Sequence, residues 1–272
     1  MRNMIKKQSV RNIVMMILLI AVITLTMIQN QEEKLINTNA ESVSTKKIEW
    51  GIKRNDKHDQ PDVGSENRKV LEENNGIALG NSESKAIYLT FDEGYEAGYT
   101  SQILEILKEN DVKATFFLTA HYINTQEELV KKMIEEGHII GNHTVNHKSM
   151  PSLTEEEIKK EVMDLHQSVY EKFGYEMKYI RPPKGEFSEK TLQVTNSLGY
   201  KTVMWSFAYE DWNEEKQPDE GKSKEKILNN LHNGEIMLLH GNSKTNTNIL
   251  DSVIKEAKNM GYVFKSLDEF ER

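Results

Sequence analysis

Residues 86–94 read Ala86-Ile87-Tyr88-Leu89-Thr90-Phe91-Asp92-Glu93-Gly94, an apolar run that stops at two adjacent carboxylates and a glycine. A short run of this kind bounded by turn residues predicts a buried strand over 86–91. Outward from it, similar runs recur at 114–118, 138–140, 178–181, 202–205, 235–239 and 262–264. Segments of helical period lie between them. Leu129, Val130, Met133 and Ile134 share a face that a Thr125-x-x-Glu128 capping box would open and Gly137 would close. A second box, Thr154-x-x-Glu157, starts a longer helix carrying Ile158, Val162, Leu165, Val169 and Phe173, which Gly174 ends. Alternating strands and helices over some 180 residues predict an α/β fold, either a parallel (β/α) barrel or a doubly wound sheet. In both, chemistry belongs at the carboxyl ends of the strands.

Polar clusters stand at those ends. After the first strand come Asp92 and Glu93, whose side chains leave in different directions, so that one carboxylate can act as a base while the other binds a metal. Gly141-Asn142-His143-Thr144-Val145-Asn146-His147 follows the third strand, and its two imidazoles, four apart, would share a face if the segment forms one helical turn. That spacing suits a divalent ion held by neutral imidazoles. Arg181-Pro182-Pro183-Lys184-Gly185, then Asp211-Trp212, then Leu238-Leu239-His240-Gly241 end later strands in the same way. Singly, each cluster admits a bland reading, since Pro-Pro ends a strand and a tryptophan can be ordinary packing. His58, His121, His138, His166 and His232 read as surface or structural histidines.

The five clusters in this order resemble the motifs of the NodB-type polysaccharide deacetylases, family 4 of the carbohydrate esterases, over residues 86–270. The resemblance implies a distorted (β/α) barrel, a divalent metal, usually zinc, and removal of acetyl from an N-acetylated sugar polymer. It implies Asp92 as catalytic base, Arg181 as the residue that orients it, His240 as general acid and Asp211 as its support. His143 and His147 become metal ligands. Glu93 stands where most members carry a metal-binding aspartate, and its longer arm either still reaches the ion or swings aside. Ala208 replaces the earlier aspartate of the fourth motif. Trp212, with Trp205, would offer apolar surface to the acetyl group or a sugar ring. Pro183 and Lys184 complete the expected substrate contacts, the Lys184 backbone N–H as an oxyanion donor.

Glu93 together with Trp50-Gly51-Ile52, Gly185-Glu186-Phe187-Ser188 and Trp205-Ser206-Phe207-Ala208-Tyr209 is similar to the PdaA-like branch of spore-forming bacteria. That branch implies deacetylation of N-acetylmuramic acid in peptidoglycan after an amidase has removed the stem peptide, leading to muramic δ-lactam of the spore cortex. A vegetative-wall N-acetylglucosamine deacetylase, or an inactive wall-binding homologue, are the alternatives.

The rest of the 272 residues fits that setting. The chain has no cysteine, which excludes disulfides, thiolate metal sites and cysteine nucleophiles. Its formal net charge of −8 argues against nucleic acid as partner. Arg2, Lys6, Lys7 and Arg11 give the first thirty residues +4, so the remainder carries −12. They precede an uncharged run, 13–28, that would span about 24 Å as a helix. Residues 1–29 are therefore expected to be a signal peptide or a signal anchor, the anchor being favoured because no Ala-x-Ala-like site follows closely. Residues 30–47 read as a polar tether and 48–85 as an extension wrapping the domain without making its core. The catalytic domain is expected over 86–272, outside the cytoplasm, at the cell wall or forespore envelope.

Overall fold

The computed structural model describes residues 43–55 and 57–272. The expected export segment, 1–29, and residues 30–42 of the expected tether lie outside the described residues. Among the described residues no helix is long and apolar enough to cross a membrane.

The run that begins at Ala86 is β2, Ala86–Glu93, and all eight of its residues are buried. It lies inside a seven-stranded sheet with β3 (Thr115–Leu118), β4 (Ile139–Asn142), β5 (Tyr179–Ile180), β7 (Lys201–Thr202), β8 (Glu235–His240) and β9 (Val263–Phe264). The order is β7-β5-β4-β3-β2-β8, with β9 also pairing to β2, and every ladder is parallel. Parallel neighbours require crossovers, and these are helices α2 (Thr100–Glu109), α3 (Ala120–Thr125), α4 (Glu127–Glu135), α5 (Glu155–Phe173), α6 (Glu189–Ser197), α7 (Glu220–Asn229) and α8 (Lys244–Asn259). The sheet curls into a distorted (β/α) barrel. Helices cover its outer face, and Tyr88, Phe117, Ile139, Tyr179, Val203 and Ile236 fill its inside.

All seven expected strand regions carry strands, with shifted ends. The region 202–205 pairs as a strand only to Thr202, because Val203 and Met204 turn to a new neighbour. Ile77 N–H donates to the Thr202 carbonyl at 2.8 Å and Met204 N–H to that of Ile77 at 2.8 Å. The second capping box forms: the Thr154 hydroxyl accepts from Glu157 N–H, Glu157 reaches back to Thr154 N–H, and Gly174 caps α5 at φ 63°. The box expected at Thr125 does not. Thr125 is instead the last residue of α3, with its hydroxyl donating to the His121 carbonyl at 2.9 Å, and α4 starts after Gln126. A threonine in a helix finds the carbonyl of the preceding turn before it can cap the next helix.

The extension does more than wrap. Ile48–Glu49 (β1) pairs antiparallel with Glu186–Phe187 (β6), and helix α1, Ser65–Glu73, buries Leu71. Trp50, Val63, Leu71 and Leu79 build a core cluster with Phe187, Leu192 and Met204. Isolated apolar anchors among charges carry no periodicity, so their burial depends on the surface that receives them.

Candidate active site

Side chains alternate along a strand, and that parity selects which strand-end groups meet. On β2, Tyr88, Thr90 and Asp92 face the barrel interior, while Phe91 and Glu93 face the helices. The parallel register sets Asp92 of β2 beside His240 of β8. Arg181 follows β5, is fully buried and reaches across the interior. Its Nη1 donates to Asp92 Oδ1 at 2.8 Å and Thr90 Oγ1 at 2.9 Å, and its Nε to the Val203 carbonyl at 3.1 Å. The guanidinium lies 4.2 Å from the centroid of Phe117. Burial would raise the Asp92 carboxyl, but the Arg181 guanidinium, helped by His240, outweighs it and holds it below the usual carboxylate range.

The two loop histidines meet without a helical turn. Their rings lie 4.9 Å apart in a segment where Thr144 and His147 take left-handed backbone angles, φ 66° and 54°. The loop is built from below. Thr144 N–H donates to Asn142 Oδ1 at 2.9 Å, and Asn146 donates to the Glu161 carboxylate from its backbone at 2.8 Å and its amide at 2.7 Å. Glu161 is the one acid on the buried face of α5, a signal that sequence reading missed. His143 donates from Nδ1 to the Arg181 carbonyl at 2.8 Å, which leaves Nε2 unprotonated, 3.6 Å from Asp92 Oδ2. Burial lowers His143, and burial with the neighbouring His143 lowers His147 to about 4. Two neutral imidazoles beside an ionised carboxylate, one imidazole anchored through its other nitrogen, suit a zinc-like ion. No preformed cage of three or more His, Asp or Glu side chains stands among the described residues.

Glu93 does not join the imidazoles. Parity sends it to the helix side, where Thr100 Oγ1 lies 3.5 Å from Oε1 and Oε2 finds no partner among the described residues. It fills the space left by Gly241, where a Cβ would come within 1.6 Å of Glu93 Oε1. Burial, then the charges of Glu96 and Asp92, push its carboxyl well above the ordinary value. Sequence alone left both reach and withdrawal open; the structure shows withdrawal.

His240 is held at both ends. Its Nδ1 donates to Asp211 Oδ1 at 2.7 Å and its backbone N–H to Oδ2 at 2.9 Å. Asn246, in the first turn of α8, donates to the same Oδ2 at 2.5 Å, and Tyr209 hydrogen-bonds Asn246 Oδ1. The Asp211 carboxylate and the His240 carbonyl, which can only accept, settle which way the Asn246 amide faces. Neither residue belonged to the expected site, since 37 residues separate them and only the fold joins them. Burial disfavours a charged His240, but the Asp211 carboxylate overrides it, and the imidazole sits above its ordinary value.

Asp92, His143, His147 and His240 open into a cleft of about 1030 Å³ also lined by Trp205, Trp212 and Lys184. Trp212 is half exposed and its ring lies 5.5 Å from that of His240. Tyr95 also lines the cleft. Asn242 links the two, donating to the Tyr95 hydroxyl at 2.9 Å and the Trp212 carbonyl at 3.0 Å. Tyr95, Asn242 and the exposed His121 line the cleft although sequence reading gave them no part in it. Pro183 is buried beneath the turn and is not one of the cleft-lining residues.

Residues 79–203 match the family model described as polysaccharide deacetylase. The chain is 42% identical over 231 residues to the peptidoglycan-N-acetylmuramic acid deacetylase PdaA of Bacillus subtilis, covering 85% of this chain and 88% of that one. It is 32% identical over 210 residues to a peptidoglycan-N-acetylglucosamine deacetylase of Bacillus cereus, covering 75% of this chain and 97% of the relative. The solved structure of Bacillus subtilis PdaA, a family 4 carbohydrate esterase, superimposes with a TM-score of 0.81 at 41% identity, over 84% of this chain and 98% of that one.

Proposed function

Because the chain belongs to the polysaccharide deacetylase family and is a deacetylase of the carbohydrate esterase 4 type, we propose that it removes acetyl from N-acetylmuramic acid in peptidoglycan, on residues already stripped of their stem peptide. One observation carries the chemistry: a carboxylate held below its usual range and an imidazole raised above its own, each with its own buried partner, stand side by side on β2 and β8 and face one cleft. The higher identity to a muramic acid deacetylase than to a glucosamine one favours the muramic sugar.

Asp92 takes a proton from water as its oxygen adds to the acetyl carbon. His240 gives a proton to the sugar nitrogen as the C–N bond breaks, and acetate and a free amine leave. Arg181 keeps Asp92 ionised and aimed, and Asp211 does the same for the His240 cation. His143 and His147, beside Asp92, would hold a divalent metal, zinc by donor type, which would supply polarisation of the acetyl oxygen and a more acidic water. The Lys184 N–H is assigned as a further oxyanion donor, and Trp212 as the wall for the acetyl group or sugar ring. The freed amine lies one ring carbon from the lactyl group and closes on its carboxyl with loss of water, giving the δ-lactam of spore cortex. An amidase acting earlier supplies the free carboxyl, and the export segment carries the enzyme to the wall.

Acetate release and product mass from peptide-stripped strands test this reading. The expected product is lighter than the substrate by acetyl and then by one water, and a chelator stops the reaction until zinc is returned. Release from N-acetylglucosamine residues alone would replace the muramic assignment. A folded chain that releases no acetate under any metal would be a wall-binding protein.

The pH–rate profile is a second expected result. His240 works in its charged form and its value is raised above 6.5, so kcat falls only as pH climbs through that raised value. Asp211→Asn removes the opposing carboxylate and leaves the burial, so the alkaline limb moves to lower pH. An alkaline limb unmoved in that variant would remove His240 as the acid.

A further inference from the structure

The Asp211 carboxylate is fully buried, and the fold gives its two oxygens different company. Among the described residues Oδ1 accepts from His240 Nδ1 alone, at 2.7 Å. Oδ2 accepts twice, from the His240 backbone N–H at 2.9 Å and from the Asn246 side-chain amide at 2.5 Å. A rotation about the Cβ–Cγ bond of Asp211 would carry Oδ1 off the imidazole. Two donors on Oδ2 resist that rotation where one would leave it freer.

Asn246 is itself held in place. It is buried in the first turn of α8, and its backbone N–H donates to the hydroxyl of Ser243, which caps that helix, at 3.2 Å. Gln217 ties the helix start to the loop that carries Asp211. Its Oε1 accepts from Ser243 Oγ and from Thr245 N–H, both at 3.0 Å, and its Nε2 donates to the Asn213 carbonyl at 2.9 Å. The side chain is fixed as well, because Asn246 Oδ1 accepts from the buried Tyr209 hydroxyl. Burial, then the Asp211 charge, push that phenol above its ordinary range, so it keeps its proton and donates. Neither Tyr209 nor Asn246 is one of the cleft-lining residues. An asparagine is a poor helix former and costly to bury, so its place there calls for a polar task.

The task follows from what His240 must do. Its Nδ1 holds a proton toward Asp211, so that Nε2, the nitrogen left for the cleft, delivers the proton to the sugar amine. We propose that Asn246, set by Tyr209, is the positioning residue of this acid: its amide locks the Asp211 carboxylate so that Oδ1 stays on His240 Nδ1, and the imidazole keeps one orientation and one tautomer through proton transfer. The chain of bonds runs from Tyr209 through Asn246 and Asp211 to His240, and only its last member meets the substrate. This rests on the reading of His240 as the general acid.

The test uses the full chain on peptide-stripped strands, with acetate release giving kcat and KM and a melting curve taken for every variant. Asn246→Leu, which fills the space without a donor, should lower kcat by about tenfold with KM little changed, the size of one hydrogen bond to a charged group. In the same variant the His240 Nδ1 proton resonance, displaced downfield by the carboxylate it faces, should move upfield and broaden. Tyr209→Phe takes away a single oxygen and should move the resonance the same way, with kcat down by about threefold. The decisive arm is the cycle with Asp211→Asn. Where the carboxylate is already gone, Asn246→Leu should cost less than about twofold more, because its effect passes through that carboxylate. A folded Asn246→Leu enzyme with native kcat and a native resonance overturns the assignment, as does one whose loss is undiminished in the Asp211→Asn background. Should Asn246→Leu not fold, the same outcomes in Tyr209→Phe decide. An Asp211→Asn enzyme at the native rate would overturn the acid reading itself, and this inference with it.

Discussion

Asp92→Asn is expected to lower acetate release by about 10²- to 10⁴-fold, the range that a positioned general base contributes. Asparagine keeps the shape and an oxygen for the Arg181 guanidinium but cannot take a proton from water at any working pH. The loss should fall on kcat, since the cleft wall that contacts the sugar is unchanged. The substitution also leaves the fully buried Arg181 without a counter-charge, so a melting curve must accompany the assay to show that the lost rate comes from a folded protein. A folded Asp92→Asn enzyme within tenfold of the native rate would mean that another group takes the proton.

The second large effect is on stability. Arg181→Met should destabilise the chain by about 3–5 kcal/mol, because it leaves a buried carboxylate unpaired and strips donors from Thr90 and the Val203 carbonyl. For a domain of this size the midpoint should fall by roughly 2–4 °C per kcal/mol. The pH dependence has a definite sign. In the native protein the Asp92 carboxyl is depressed, so its contribution is present above the ordinary carboxylate value and is lost as pH falls through the folded value. Without the guanidinium, burial is the largest influence left and raises the same carboxyl, so the deficit of the variant should shrink as pH falls and the carboxyl becomes neutral. Adding Asp92→Asn to Arg181→Met should recover part of the lost stability for the same reason. A double variant no more stable than Arg181→Met would show that the cost lies in packing against Phe117 and not in the stranded charge.

Both predictions concern residues that sequence reading had already singled out. Their types and order along the chain are local facts, and the strand-length apolar runs place them at the carboxyl ends of β2, β5 and β8. The same holds for the capping box at Thr154 and the glycine that ends α5, where the partners lie within a turn of each other.

What sequence could not determine are relations between distant residues. Whether Glu93 meets the histidines depends on strand parity and on the space above Gly241, 148 positions along, which only the closed sheet brings against it. The two loop histidines approach through left-handed residues braced by Glu161, not through helical spacing. Tyr209, Asn246 and Asp211 become one network, and Trp50 and Leu71 become core, only when β8, α8 and the 185–205 segment are in place. Composition, periodicity and capping act within a few residues and so determined the elements, their order and the residue types offered to the cleft. Direction, register and partner choice come from packing between segments, and they decided which of the offered groups face one another.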